Sequence, residues 1–368
     1  MKNAICICCR GFFVSVAATL SVSCSSSDPQ SSENYIEKFS LDSISPIEVN
    51  IQSERSLIYI WTDGGNYAKL PNETPIIEVS QGATISQSQG ANWTDSDFRY
   101  TVTAENGDLR NYEVQVDTAI PREYKFESWS LSNGTNGYFV PSNLRWASGN
   151  SGIKMALALL GRDNTNPENY PTKMTANGYA GNAAVMETIE GGTVFGRTMP
   201  VLSGNLYLGS FNTNKAITDE LAATEFGRIY PAKPSSISGY YKYKEGAGDF
   251  NNNGTIEPSR HDSCDIYAVF YRSDLPNGKD TTLTTPDIET SDLILAISRL
   301  PNCTETAGDN FEKFELNFNN YSTEPDFTLH RYKLAIIFAA SKTGANYAGK
   351  IGSRLVIDEI EIEDYPIQ

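Results

Sequence analysis

The chain is poor in cysteine, histidine and basic residues, and each shortage closes off a class of chemistry. There are two histidines in 368 residues, His261 and His330, and no His/Cys cluster has the spacing of a zinc site. His261 stands beside Asp262, but no Gly-x-Ser-x-Gly elbow supplies a matching nucleophile. The 28 glycines form no phosphate-binding loop between a strand and a helix. Lys and Arg number 29 against 45 Asp and Glu, a formal net charge of −16. Such a surface repels phosphate backbones, which argues against nucleic acid as a partner. Acidic polymers are disfavoured too, unless a local basic patch or a metal ion holds them. Beyond the first 23 residues no stretch reaches 18 apolar residues, so no membrane-spanning helix is expected. Four of the six cysteines fall within the first 24 residues, which leaves Cys264 and Cys303 for the folded part.

What the chain does have points to β structure. It carries 20 Tyr and 28 Gly, with 11% aromatic residues, a mixture that suits strands and tight turns. Its length suits two or three domains.

The first residues read as an address. Lys2 and Arg10 precede an apolar stretch over 11–22, too short to span a bilayer and right for a signal peptide. It ends Leu20-Ser21-Val22-Ser23-Cys24. Small residues before a cysteine resemble a lipobox, although Ser21 stands where that pattern places Leu. The resemblance implies cleavage after residue 23 and acylation of Cys24. Loss of the leader takes the net charge from −16 to −18. Residues 24–33 are polar and read as a tether. The implied location is the bacterial outer membrane, lipid-anchored, with the folded part facing outward.

A first unit is expected over 34–118. Residues 57–61 and 74–79 are strand runs. Residues 99–116 alternate through Asn106-Gly107, a hairpin signal. This segment resembles the immunoglobulin-like modules of bacterial surface lipoproteins, which usually act as spacers. Residues 118–122, containing Pro121, form the candidate linker.

The remainder, 119–368, reads as one larger β domain. Strand runs are expected at 154–160, 184–188, 205–211, 238–243, 266–271, 293–300, 314–318, 332–339 and 354–362. One helix is expected, over 218–226. This pattern suggests a two-sheet jelly-roll sandwich. If 266–271 and 293–300 pair antiparallel, Cys264 and Cys303 lie near the same end. A disulfide and two buried thiols both remain open.

Several segments resemble the putative carbohydrate metabolism domain (PCMD) family of gut-bacterial glycan-utilisation lipoproteins. They are Phe126-Glu127-Ser128-Trp129, Pro141 with Trp146-Ala147-Ser148-Gly149-Asn150, the run 204–211, Pro234 with 238–243, Asp265-Ile266-Tyr267-Ala268-Val269, and 352–359. They occur in order over most of the second unit. The resemblance implies a sandwich similar to carbohydrate-binding modules and a role in glycan handling. It supplies no catalytic residues.

Candidate sites follow from residue chemistry. Asp249, Asn251, Asn253, Thr255 and Glu257, with Gly254 at the turn, resemble the start of a calcium loop. Arg260 stands where a bidentate Glu is expected, and Asp262 or Asp265 could replace it only in a different loop geometry. The alternative is an Asn/Gly-rich turn without metal, and a Ca2+ held here would be structural. Fold analogy offers a weaker pair, Glu127 and Asp358. Sugar rings stack on aromatic faces while polar side chains bind their hydroxyls. Trp146 with Arg145 and Asn150, and Tyr241 with Tyr243, are the candidates, each weighed against plain core packing.

The sequence thus leads to an all-β, lipid-anchored envelope protein whose second domain binds carbohydrate without catalysis. Its partners would be a polysaccharide or glycan, the membrane through its lipid, and other envelope proteins of glycan utilisation. The rival readings are a glycoside hydrolase or carbohydrate esterase, and a structural or adhesive envelope subunit.

Overall fold

The computed structural model describes residues 30–366, apart from 54–55, 63, 90–91, 95–97, 118–119, 133, 135–136, 143–144, 195, 214, 275–280 and 328. The leader and Cys24 lie outside the described residues. Among the described residues no helix is long and apolar enough to cross a membrane.

The chain is nearly all β, arranged around two main hydrophobic cores. The first belongs to residues 36–117. A five-stranded sheet runs in the order Glu48–Gln52, Leu57–Trp61, Leu109–Asp117, Arg99–Thr103, Thr84–Gln89. The pair Ile36–Leu41 and Pro75–Val79 makes a second, smaller sheet. The hairpin read at 99–116 is present, with Gly107 at φ 90° in its turn. Leu57–Trp61 runs parallel to Leu109–Asp117.

The second core lies between two larger sheets. One is ordered Thr172–Thr175, Ala183–Val194, Arg354–Asp364, Pro234–Lys244, Glu312–Asn317. The other is ordered Leu283–Thr284, Thr224–Phe226, Asn205–Phe211, Tyr332–Ala339, Asp265–Arg272, Ile294–Arg299. Strand alternation decides what each face presents. Ile266, Ala268 and Phe270 enter the inter-sheet core with Leu334, Ile336 and Phe338. Tyr267, Val269 and Tyr271 pack on the opposite face with Tyr207 and Ile337. Asp265–Arg272 and Ile294–Arg299 pair antiparallel, and Cys264 and Cys303 at their shared end are joined in a disulfide with Cα atoms 5.2 Å apart.

Two element assignments differ from the sequence reading. The run expected as a strand at 154–160 belongs to a helix, Asn150–Leu159. Residues 154–160 (Lys, Met, Ala, Leu) are strong helix formers and none of them is β-branched. The helix expected at 218–226 is instead a single turn, Lys215–Thr218, followed by the short strand Thr224–Phe226. Cross-strand pairing with Gly209–Phe211 captures that strand.

Candidate functional site

The outer face of the second sheet is roofed only in part, and the open part is a cleft of about 830 Å³, within the size range of small-ligand sites. Its floor comes from three adjacent strands through Asn205, Tyr207, Asp265, Tyr267, Ile337 and Ala339. One wall is the helix Asn150–Leu159, which turns Ile153, Met155, Ala156 and Leu159 towards it. Leu159 is 52% exposed although apolar, as suits a residue at a cleft rim. Two side-chain links seat this helix. Gly149 N–H donates to Asn205 Oδ1 at 2.8 Å, and Gly152 lies against the Phe211 ring, where an added Cβ would stand 3.0 Å from Cζ.

Charged groups gather at two places in the cleft. Arg197 pairs with Glu220, which also accepts a 2.5 Å hydrogen bond from the Tyr347 hydroxyl. The Arg197 guanidinium lies over the Tyr347 ring. Burial pushes the Tyr347 phenol up, and Glu220 adds to the shift. On the floor, Asp265 Oδ1 stands 3.1 Å from Arg299 Nε, while Arg299 donates to both Glu289 oxygens at 2.9 and 2.7 Å. The same guanidinium lies over the Tyr267 ring at 4.3 Å. Desolvation pushes the Asp265 carboxyl up to about 6, against the opposing pull of Arg299 and Lys342. This lining can stack a sugar ring, bind its hydroxyls and exchange a proton with it.

None of the aromatic and polar residues singled out as sugar contacts faces this cleft as a stacking surface. Trp146 is 4% exposed, wedged between Tyr124, Phe126 and Phe338 in the core. Arg145 is buried under the first unit, where Nη1 donates to Glu48 at 2.8 Å and Nη2 to the Ile229 carbonyl. Asn150 is wholly buried and acts as a backbone mimic. Its Nδ2 donates to the Thr172 carbonyl at 2.6 Å, and its Oδ1 accepts from the Thr172 amide. Tyr241 and Tyr243 do share one face of their strand, and that face is the core. Tyr240 is on the other face, stacked on Tyr179 with ring centroids 3.6 Å apart.

The expected calcium loop is a β-hairpin. Phe250–Asn252 pairs with Thr255–Glu257, and Asn253 and Gly254 turn the corner with φ of 47° and 96°. Alternation puts Asn251 on the opposite face from Glu257, so the ligand set cannot converge. The side chains serve the hairpin: Asn251 Oδ1 accepts from Gly254 N–H, and Glu257 takes Asn252 and Arg260. Among the described residues no group of three or more His, Cys, Asp and Glu is placed to hold a metal ion. Glu127 and Asp358 fare better, because both wrap one glycine-rich loop. Ala180 N–H donates to Asp358 Oδ2 at 2.9 Å and Asn182 N–H to Glu127 Oε2 at 3.0 Å. Asp358 is fully buried, and burial pushes its carboxyl up while Glu359 adds like charge. No Lys or Arg pairs with it among the described residues. Its oxygens accept instead from the backbone N–H groups of Ala180 and Glu359, so a buried carboxylate without a cationic side chain stands here, a setting closer to a cation ligand than the hairpin.

The sequence reading missed Arg197, Glu220, Glu289, Arg299 and Tyr347 as site residues, and took Asp265 as part of a motif and as a substitute ligand for the calcium loop. One signal was present: Asp265 is the single charge in the buried run Asp265–Tyr271. The others come from separate loops and strands that only the fold assembles.

Comparison with curated proteins finds no match. Among solved structures, a putative glycoside hydrolase from Bacteroides thetaiotaomicron superposes with a TM-score of 0.78 at 30% identity, covering 92% of this chain and 99% of that one. A putative glycoside hydrolase from Bacteroides vulgatus superposes with a TM-score of 0.58 at 29% identity, over 67% of this chain and 99% of that one. Carbohydrate-binding modules of the β-sandwich superfamily align at 11% identity and a TM-score of 0.27, over 79% of this chain and 80% of that chain, too distant to bear on the site. Residues 122–363 match the family described as "Putative carbohydrate metabolism domain", and the helix and the sheet that form the cleft wall and floor lie within that span. The chain belongs to the PCMD family.

Proposed function

We propose that the chain captures a glycan in the cleft between the helix Asn150–Leu159 and the outer face of the second sheet, as an envelope protein anchored through lipid on Cys24. The carrying observation is the lining. Apolar and aromatic surface from Phe211, Tyr267 and Tyr347 stands beside Arg197, Glu220, Asp265 and Lys342, the mixture that sugar faces and hydroxyls require. Membership of a family described by carbohydrate metabolism supports the same reading.

A glycan array probed with the full chain tests the reading, followed by titration calorimetry on any hit. Tyr347→Ala is expected to weaken binding at least tenfold, because it removes a ring from the cleft wall. Absence of binding to plant, host and microbial glycans alike would overturn the proposal. Labelled palmitate that enters the wild-type protein but not Cys24→Ser tests the anchor.

A further inference from the structure

Asp265 has more in it than a surface for capture needs. The residue is 7% exposed, and its side chain lines the cleft. Among the described residues its carboxylate accepts no hydrogen bond. Arg299 Nε lies 3.1 Å away, yet that nitrogen makes no hydrogen bond, so the contact is Coulombic only. Buried carboxylates ordinarily have their lone pairs filled. Here they are left open towards the cleft.

Glu289 sits in the opposite setting. Its side chain is 47% exposed, and Arg299 donates to each of its oxygens, the forked geometry of an ionised carboxylate. One guanidinium therefore spaces two carboxyl groups whose surroundings favour different protonation states. It contacts both at once, Asp265 through Nε at 3.1 Å and Glu289 through its other two nitrogens at 2.9 and 2.7 Å, so the two carboxyl groups that cleavage of a glycosidic bond calls for are neighbours across one side chain. Unlike environments for two nearby acids are the mark of an acid and a base. Desolvation of Asp265, which raises its carboxyl to about 6, supports the same division of labour.

We infer that the cleft hydrolyses a glycosidic bond of the glycan it captures, with Asp265 as proton donor and Glu289 as the base for the attacking water. This rests on the capture reading above. In the step, the Asp265 O–H gives its proton to the glycosidic oxygen as the bond from that oxygen to the anomeric carbon breaks. Glu289 takes a proton from water, and the hydroxide oxygen bonds to the anomeric carbon from the other face. One water is consumed and two free sugar ends are made. Asp265 is reprotonated and Glu289 deprotonated through solvent, so both return to their starting states.

The test uses the full chain and whichever glycan the array identifies. Reducing-end release is measured for the wild type, Asp265→Asn and Glu289→Gln, alongside each variant's dissociation constant and melting temperature. The expected result is release by the wild type and at least a hundredfold slower release by each variant. The variants remain folded, and release is compared with each protein glycan-saturated so that a change in affinity does not enter the rate. Proton NMR of the fresh product is expected to show an inverted anomeric centre. A glycan that binds but is not cleaved overturns the catalytic role and leaves capture standing. Release by Asp265→Asn at the wild-type rate, or a retained anomeric configuration, overturns the assignment of these two residues. If no glycan binds, the capture reading fails and this one falls with it.

Discussion

Glu48 of the first unit and Arg145 of the second meet at 2.8 Å across the seam between the two cores, and both are almost wholly out of water. Arg228 joins them at 3.4 Å from the other Glu48 oxygen, and the Arg145 guanidinium rests over the Trp61 ring at 4.8 Å. One carboxylate thus answers two buried guanidinium groups. Burial pushes Arg228 below its ordinary value and Arg145 adds to that, while Glu48 opposes both. Removing Glu48 would leave two desolvated cations facing each other. Glu48→Ala is expected to cost about 3–5 kcal/mol, the usual penalty for breaking a buried ion pair from one side. Denaturant unfolding of the full chain measures it. An unchanged midpoint would show that solvent reaches the seam and that the contact contributes little.

Asp265 makes the opposite contribution, because its burial is unfavourable to the charged form. Its carboxyl titrates near 6 when folded against an ordinary 3.8. Between those values the folded chain binds more protons than the unfolded one, so stability falls as pH rises. Below pH 3.8 the penalty is absent, and above about 6 it is fully present. Asp265→Asn is therefore expected to stabilise the fold at pH 8, by on the order of 2 kcal/mol, and to leave it nearly unchanged at pH 4. Calorimetry at the two pH values decides it, and an equal shift at both would remove the electrostatic explanation. Gain in stability on loss of a site residue is the usual sign of a strained functional group.

Strand alternation and turn chemistry carried much of the fold in the sequence. The Asn106-Gly107 hairpin, the antiparallel pairing beside Cys264 and Cys303, and the long strand Arg354–Asp364 follow from local pattern. Failures came where partners are distant. Arg145 beside Trp146 has the look of a sugar contact, but Glu48, ninety-seven positions earlier in the chain, claims it. Asn251, Asn253 and Glu257 have the chemistry of calcium ligands, but Asn253-Gly254 is also a two-residue hairpin turn, and pairing with Ala348–Gly349 holds that hairpin in place. The cleft itself was not legible. Its acids and aromatics come from six or more segments, and no spacing rule links them.

Calcium titration separates the two candidate ligand sets. If Asp358 and Glu127 hold the ion, added Ca2+ is expected to raise the melting temperature, and EDTA to reverse it, since a ligand that binds only the folded chain stabilises it. Asp358→Asn is expected to abolish the rise. Asp249→Asn is expected to leave it intact, because the hairpin cannot gather its side chains around an ion. Sensitivity to the second change and not the first would reverse the assignment.

The disulfide bears on the cleft directly. Cys264 immediately precedes Asp265, and its bond to Cys303 closes a loop with a sequence separation of 39. In the chain-entropy picture a loop of that length stabilises by about 3–4 kcal/mol. The strands Asp265–Arg272 and Ile294–Arg299, which carry Asp265 and Arg299, lie within that loop and pair with each other. Cys264→Ala with Cys303→Ala is therefore expected to lower stability by that amount and also to loosen the Asp265–Arg299 spacing. Loss of glycan affinity or turnover at a temperature where the double variant is still folded would show the second effect. Lower stability with site properties unchanged would confine the disulfide to holding the fold, with the Asp265–Arg299 geometry maintained by strand pairing alone.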